Sequence, residues 1–336
     1  MTTPETFELY KHFDHAVSKG IRYLSMEVSS QALKYERTRG IIFDVVCFLN
    51  IDEDHISEIE HSDYEDYFTS KLRIFSQCRY ACVNLGTRDV ERVLQAVKSE
   101  MPELITFGYS SDADIRAYDV ISQEFGISFR VKGVVPGASF DEEFEISMTG
   151  LFNVENALAA ISAALCLGTP IEYIKSGLKR ARVSGRMEVF KGDGKTVIVD
   201  YAHNRLSFET LFRSVREEYP GKKISIVFGC PGKKALGRRR ELGTLAGEYA
   251  DSVILTEEDA GEESVLDICH EIEKYVDKGR DCRIIADRED AIKTAVESAD
   301  SGWVVLITGK GRETRQKRGL LYVDTPSDVE YVESLI

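Results

Sequence analysis

Two stretches of the chain alternate short apolar runs with segments of helical period, and no other feature constrains the fold as strongly. In the first, from Leu9 to about Val183, Tyr23–Glu27, Asp44–Asn50 and Ala81–Leu85 read as buried strands. Leu9–Ser18, Asp63–Phe75, Asp89–Lys98, Asn153–Cys166 and Glu172–Ala181 repeat near 3.6 and read as helices. Between about Asp114 and Met148, polar–apolar alternation with Gly and Pro punctuation predicts antiparallel ribbon strands on the sheet margin. In the second stretch, Lys195–Val199, Ile224–Phe228, Ser252–Thr256, Arg283–Ala286 and Trp303–Thr308 are strand-like, with helices such as Arg238–Tyr249 and Asp290–Ser298 between them. That alternation implies an α/β protein with mainly parallel sheets covered by helices. A chain of 336 residues, at roughly 150 per domain, predicts two domains. Their boundary is expected just before Gly185, giving residues 1–183 and 184–336.

Charge narrows the partners. Lys and Arg number 43 against 57 Asp and Glu, a net charge of −14, which argues against a nucleic-acid polymer. Any anion site must be a local basic cluster. Seven scattered cysteines without C-x-x-C spacing indicate neither a disulfide framework nor a zinc ribbon, and a reducing cytoplasm is the expected location. No apolar run approaches the ~18 residues of a membrane span, so neither membrane insertion nor a signal peptide is expected.

In open α/β sheets ligands sit at the carboxyl ends of the strands. The polar residues that follow apolar runs are Glu27 with Ser29, Asn50 with Asp54 and His55, Asp200 with His203, Gly229 to Arg239, and Gly309 to Glu313. Capping and turn roles account for such residues singly; their joint occurrence points to a site. Glu27 and His55 could hold a divalent cation whose shell nucleotide phosphates complete, or His55 could pair with Asp52 or Asp54. Lys71, beside the stripe Phe68, Leu72 and Phe75, is either a solvated lysine or one placed next to that metal. Gly229-Cys-Pro-Gly-Lys-Lys-Ala-Leu-Gly-Arg-Arg-Arg240 is a glycine-rich basic loop entering a helix, suited to clamp a carboxylate or phosphate, with a solvated charge run as the alternative. Gly192-Asp-Gly-Lys-Thr196 has Val189 where a phosphate loop needs glycine, and reads as a hairpin turn. Neither G-x-x-x-x-G-K-[ST] nor G-x-G-x-x-G occurs in the chain, which removes the glycine fingerprint a Rossmann oxidoreductase needs.

Taken in order, Met26-Glu-Val-Ser-Ser-Gln-Ala-Leu33 with Arg37, Asp54-His-Ile-Ser57, Glu65-Asp-Tyr-Phe-Thr-Ser-Lys71, Gly150-Leu-Phe-Asn-Val-Glu-Asn-Ala157, Gly185-Arg-Met-Glu-Val189, Val199-Asp-Tyr-Ala-His-Asn204 and Gly309-Lys-Gly-Arg-Glu313 resemble the Mur ligases of peptidoglycan synthesis. Within that family they are most similar to the muramyl-tripeptide synthetases, and the wording of Ser-Ser-Gln and Asp-His-Ile-Ser resembles the lysine-adding kind. The resemblance implies a central ATPase-type domain followed by a Rossmann-like C-terminal domain. It implies an ATP-dependent ligase that phosphorylates the D-glutamate of a UDP-linked muramyl dipeptide and lets the amine of a free amino acid attack the acyl phosphate. ATP and Mg²⁺ are the implied cofactors. By the same resemblance, Glu27 and His55 hold Mg²⁺ and Lys71, carbamylated, bridges a second ion. Asn156, Arg186, Asp200 and His203 contact the nucleotide. Thr2, Thr3, Ser29 and Arg37 contact the muramyl dipeptide, and Arg239, Gly309 and Glu313 the added amino acid.

The sequence departs from the family pattern at three places. The phosphate loop and the UDP-binding domain, expected before Thr2, are absent from these residues. The usual Asp-Asn-Pro or Asp-Asp-Pro motif is Glu257-Glu-Asp-Ala-Gly261, and Tyr35 replaces a polar position. The expectation is therefore a ligase inactive as the isolated chain, either needing a partner chain that supplies the phosphate loop or serving as a catalytically silent binding protein. A monomer is favoured.

Overall fold

The computed structural model describes residues 3–53, 56, 60–123, 126–135, 138–183, 185–192 and 194–336. The chain divides into two units. One comprises Met1–Ile121, Ser128–Ile146 and Val154–Arg180; the other comprises Ser122–Ile127, Ser147–Asn153 and Ala181–Ile336.

The first unit runs α1 (Thr6–Ser18), α2 (Ser30–Lys34), β1 (Phe43–Phe48), α3 (Tyr64–Leu72) with a 3-10 turn (Arg73–Gln77), β2 (Cys78–Asn84), α4 (Val90–Glu100), β3 (Glu103–Gly108), β4 (Ile115–Gln123), β5 (Gly126–Val135), β6 (Ala138–Ile146), α5 (Phe152–Cys166) and α6 (Ile171–Arg180). The strands lie in sequence order across one sheet. β1, β2 and β3 are parallel, in register from Phe43↔Cys78 to Phe48↔Val83 and from Tyr80↔Glu103 to Asn84↔Phe107. β4 joins β3 through a short parallel contact at Phe107↔Ile115. The connections to β5 and β6 are too short for a parallel crossover, so these strands form the antiparallel margin. The two-residue side-chain period separates the faces. Val46, Phe48, Ala81 and Val83 pack with Tyr67, Phe68, Phe75, Val93 and Val97 of α3, the turn and α4. Cys47 and Cys82 face α5 on the other side, where the Cys47 thiol donates to the Ala159 carbonyl at 3.6 Å. The Asp63 carboxylate starts α3 by accepting from the Asp66 N–H at 2.8 Å.

Two expectations need correction here. Tyr23–Glu27 is not a strand: no ladder partner flanks it among the described residues, and Tyr23 and Leu24 are exposed. An apolar run becomes a strand only where a neighbour satisfies its N–H and C=O groups. The helix expected over Asp63–Phe75 tightens to a 3-10 turn after Leu72, because Phe75 turns inward to pack on Phe48.

The second unit runs β7 (Glu188–Gly192), β8 (Lys195–Asp200), α7 (Arg205–Glu218), β9 (Lys223–Phe228), α8 (Gly237–Tyr249), β10 (Ser252–Leu255), α9 (Val265–Glu273), β11 (Asp281–Ile284), α10 (Arg288–Ser298), β12 (Trp303–Thr308), the ribbon β13 (Arg315–Arg318) and β14 (Leu321–Asp324), and α11 (Asp328–Leu335). Its sheet order is β11-β10-β9-β12-β8-β7, parallel except for the antiparallel edge β7. Gly192 pairs with Lys195, the register of a two-residue hairpin. β11 lies two residues before the run Arg283–Ala286 that the sequence suggests. Ile198, Ile226, Phe228, Leu255 and Leu306 face α7, α8 and α9. Val197, Val199, Val227, Val305 and Ile307 face α10 and α11. The helices thus change face where β12 enters between β9 and β8. The carboxyl ends of these strands border the switch point where ligands bind in such sheets.

Candidate functional site

In the second unit the strand ends are bound together by short polar contacts. Asp200, buried at the end of β8, accepts from the Met187 and Ala202 N–H groups at 2.8 and 2.7 Å. Burial raises its pKa, against those bonds and the charge of Arg186. The next residue, Tyr201, donates its hydroxyl to Glu313 Oε1 at 2.7 Å, under the Arg186 guanidinium 4.9 Å from its ring. His203 Nδ1 lies 2.8 Å from the Tyr201 carbonyl. A carbonyl only accepts, so Nδ1 carries a proton.

The loop after β12 meets the turn after β10. Gly309 adopts φ +105, and a Cβ there would lie 2.2 Å from Glu258 Oε2, so only glycine allows this carboxylate its place. Glu258 is 8% exposed, and burial pushes its pKa up to about 7 against Arg288, Arg238 and Lys310. Lys310, also buried, holds Asp259 Oδ1 at 3.0 Å and Glu313 Oε2 at 2.7 Å. Burial would lower its pKa, but these two bonds outweigh it and the value is raised. Glu258, Asp259 and Glu313 thus face this crevice with Lys310 among them. Beneath, the buried Arg288 forks onto Asp328 at 2.7 and 2.8 Å and donates to the Thr308 and Glu257 carbonyls. Asp328 Oδ2 accepts from the Gly311 N–H at 3.0 Å, so one ion pair ties both loops down.

The Gly229–Arg240 loop is packed rather than loose. A Cβ on Gly232 would lie 1.9 Å from the Ala260 carbonyl oxygen. Arg239 is 2% exposed, and its fork is filled by Glu263 at 2.8 and 2.7 Å and by Glu271 at 2.5 Å. It therefore staples the loop to α9, while Lys233 and Lys234 are exposed. A cavity of about 480 Å³ is lined by Met148, Thr149, Arg182, Arg186, Glu188 and Arg312 among others. Arg312 and Glu188 pair in a fork at 2.7 Å, and the remaining arginines leave the hollow cationic.

In the first unit Thr3, Ser29 and Arg37 come together. The Thr3 hydroxyl donates to the Glu27 carbonyl at 3.0 Å and accepts from the Ser29 N–H at 2.9 Å. The Ser29 hydroxyl caps α2 by accepting from the Ala32 N–H at 3.2 Å, and Arg37 pairs with Glu5 at 2.8 Å. Behind α2, His61 is fully buried with Nε2 2.9 Å from Ser30 Oγ. Asp66 takes the Lys34 ammonium at 2.5 Å, and its pKa falls to about 2, chiefly through Lys34 and the Ser62 N–H. Lys71 Nζ lies 5.2 Å from the Tyr67 ring centroid and 6.0 Å from that of Phe48. Glu27 and Asn156 are exposed. Thr2 and His55 lie outside the described residues. Among the described residues no three His, Cys, Asp or Glu side chains are gathered to hold a metal ion.

Glu258 and Tyr201 are additions to the residues read from sequence, while Lys310 falls within the stretch Gly309 to Glu313 that the sequence singled out. A signal for the first existed in the altered motif at Glu257–Gly261; its significance depends on Gly309, fifty-one positions away.

A family model for the Mur ligase middle domain matches residues 1–164, and one for the Mur ligase glutamate ligase domain matches residues 185–311. The UDP-N-acetylmuramoyl-L-alanyl-D-glutamate--L-lysine ligase of Streptococcus thermophilus is 37% identical over 339 residues, spanning 100% of this chain and 67% of that protein. The enzyme of the same name from Streptococcus sanguinis is 40% identical over 94% of this chain and 63% of its own length. The chain thus spans about two thirds of these relatives. A solved UDP-N-acetylmuramoyl-L-alanyl-D-glutamate--2,6-diaminopimelate ligase superposes with a TM-score of 0.63 at 26% identity, over 99% of this chain and 68% of that one. A MurF ligase from Thermotoga maritima in complex with ADP has a TM-score of 0.62 at 18% identity, covering 87% of this chain and 61% of that one, a likeness of fold alone.

Proposed function

This chain belongs to the Mur ligase family, and from that premise we propose that it carries the catalytic and amino-acid-binding portions of an ATP-dependent ligase that adds L-lysine to UDP-N-acetylmuramoyl-L-alanyl-D-glutamate. Residues 1–183 would serve phosphoryl transfer and residues 184–336 the incoming amino acid. The observation that carries the lysine assignment is the ring of Glu258, Asp259 and Glu313 around Lys310. Arg288 and Arg238 also act on Glu258, but Arg288 is committed to Asp328; the carboxyl-rich crevice around Lys310 therefore favours a side-chain ammonium over a group ending in a carboxylate.

In this reading Thr3, Ser29 and Arg37, with Thr2, orient the muramyl dipeptide. Asn156, Arg186, Asp200 and His203 take the nucleotide, supported by the cationic cavity that Arg186 lines. The γ-phosphoryl group passes to the glutamate carboxylate, and the amine of lysine attacks the acyl phosphate and displaces phosphate. Gly309 and Glu313 position that amine's owner. Arg239, filled by Glu263 and Glu271, acts through the loop it holds. Mg²⁺ would fall to Glu27, His55 and, as a carbamate, Lys71. A phosphate loop would come from polypeptide outside residues 1–336; should none be supplied, the protein is a silent binder of the same ligands, in a cytoplasmic setting.

The test supplies the chain with an N-terminal segment bearing the phosphate loop and UDP domain, together with ATP, UDP-linked muramyl dipeptide and labelled amino acid. Lysine is expected in the product, and none from the 336-residue chain alone. Equal incorporation of diaminopimelate would sink the lysine assignment, and no incorporation of either would sink the ligase reading.

A further inference from the structure

Three of the seven cysteines converge on one face of the first sheet, none of them among the residues assigned above. Cys47 and Cys82 are direct neighbours on parallel strands β1 and β2, and both turn toward α5. The Cys82 and Cys166 sulfurs lie 3.8 Å apart, within roughly 2 Å of a bonded distance. Cys47 is exposed, Cys166 half-buried and Cys82 buried, so the cluster has an open end and a closed one. Cys166 is the last residue of α5, followed by Gly168 at φ +70, a helix end that can give way as the sulfurs close. The thiols of Cys78 and Cys269 donate to the backbone carbonyls of Phe75 and Thr256, as that of Cys47 does to Ala159, but Cys47 and Cys166 also flank another cysteine, Cys82.

We propose that this cluster is an oxidative modification site, in which a hydroperoxide entering at Cys47 converts Cys82 and Cys166 into a disulfide. The Cys47 thiolate attacks the peroxide; an S–O bond forms, the O–O bond breaks, and the departing oxygen leaves as water. The Cys82 sulfur displaces the hydroxyl of the sulfenic acid as a second water, forming a Cys47–Cys82 disulfide. The Cys166 thiolate then attacks the Cys82 sulfur and releases Cys47 as a thiol. Two thiols give up two electrons and two protons, and hydrogen peroxide becomes two waters.

The 336-residue protein is treated with hydrogen peroxide, quenched by alkylation, and mapped by non-reducing peptide mass spectrometry. A Cys82–Cys166 peptide pair, two hydrogens lighter than its reduced sum and abolished by dithiothreitol, is expected. Cys47→Ser should give the same pair about tenfold more slowly, since the accessible thiolate is lost. Cys166→Ser, at a partly exposed helix end and checked for fold by circular dichroism, should stop at Cys47–Cys82. All seven thiols remaining alkylatable, or a linkage among Cys230, Cys269 and Cys282 instead, would overturn the proposal. Oxidation of Cys47→Ser at the unaltered rate would overturn entry at Cys47.

Discussion

The residues assigned to function in the two units are held in different ways. In the first unit, Thr3, Ser29 and Arg37 are held by a few hydrogen bonds to backbone groups and one ion pair to the exposed Glu5, and Glu27 and Asn156 stand at the surface. In the second, Glu258 is pressed against Gly309, Lys310 sits between two carboxylates, and Arg288–Asp328 locks the loops from below. The first arrangement leaves geometry for ligands to complete; the second builds it into the folded chain. In the second unit, therefore, site geometry and stability cannot be varied independently.

Unfolding of paired variants tests this directly. Arg288→Ala strands Asp328 in the interior and should cost about 3–5 kcal/mol, whereas Arg37→Ala, losing a partner that is itself exposed, should cost ~1 kcal/mol or less. Similar losses in urea titrations would erase the distinction. Gly309→Ala meets both a positive φ and the Glu258 carboxylate, and about 2–4 kcal/mol is expected. Gly20→Ala, at φ +68 in open space, should lose about 1 kcal/mol.

Acidity sharpens the contrast, because the buried Glu258 and Asp200 are raised whereas Asp66 of the first unit is lowered. Glu258 binds its proton more tightly when folded, so its contribution is complete below about 4.5 and is lost as pH rises through about 7. The slope approaches ~1.4 kcal/mol per pH unit. The buried Asp200 has the same sign. Asp66 of the first unit, lowered from 3.8 to about 2, stabilises above that range and fails below it. Thermal unfolding should therefore show the second unit firmer at pH 5 than at pH 7, and Glu258→Gln should flatten that trend. An unchanged slope in Glu258→Gln would show that this carboxylate does not titrate with unfolding. The smallest effect on stability is expected for Lys71→Ala, within about 1 kcal/mol for a partly exposed cation–ring contact. In the completed ligase the same change should abolish product formation, with partial rescue by bicarbonate.

The second sheet was legible in sequence because its strands are buried on both faces, so Ile224–Phe228 is apolar but for Ser225 and Trp303–Ile307 is apolar throughout. Tyr23–Glu27 also carries apolar residues but has no neighbouring strand among the described residues, and composition does not report a partner. Site residues followed the same logic. Asp200 and Gly309 could be found at the ends of apolar runs, but Glu258 draws its character from burial against a distant glycine. Arg239 looked like a clamp for a ligand because its basic neighbours are visible in the sequence, while Glu263 and Glu271, which fill it, are contiguous with it only in space.

The position of β12 bears on how such a chain is made. It pairs with both β9 and β8, yet it is the last strand of its sheet to leave the ribosome. Until Trp303–Thr308 emerges, β8 and β9 present two open edges with no strand between them. Edges of that kind recruit other chains, and non-local parallel pairing closes slowly. The second unit must therefore wait, incompletely paired, until Thr308 has been made. Nascent chains that stall before Trp303 would be the form most in need of a chaperone.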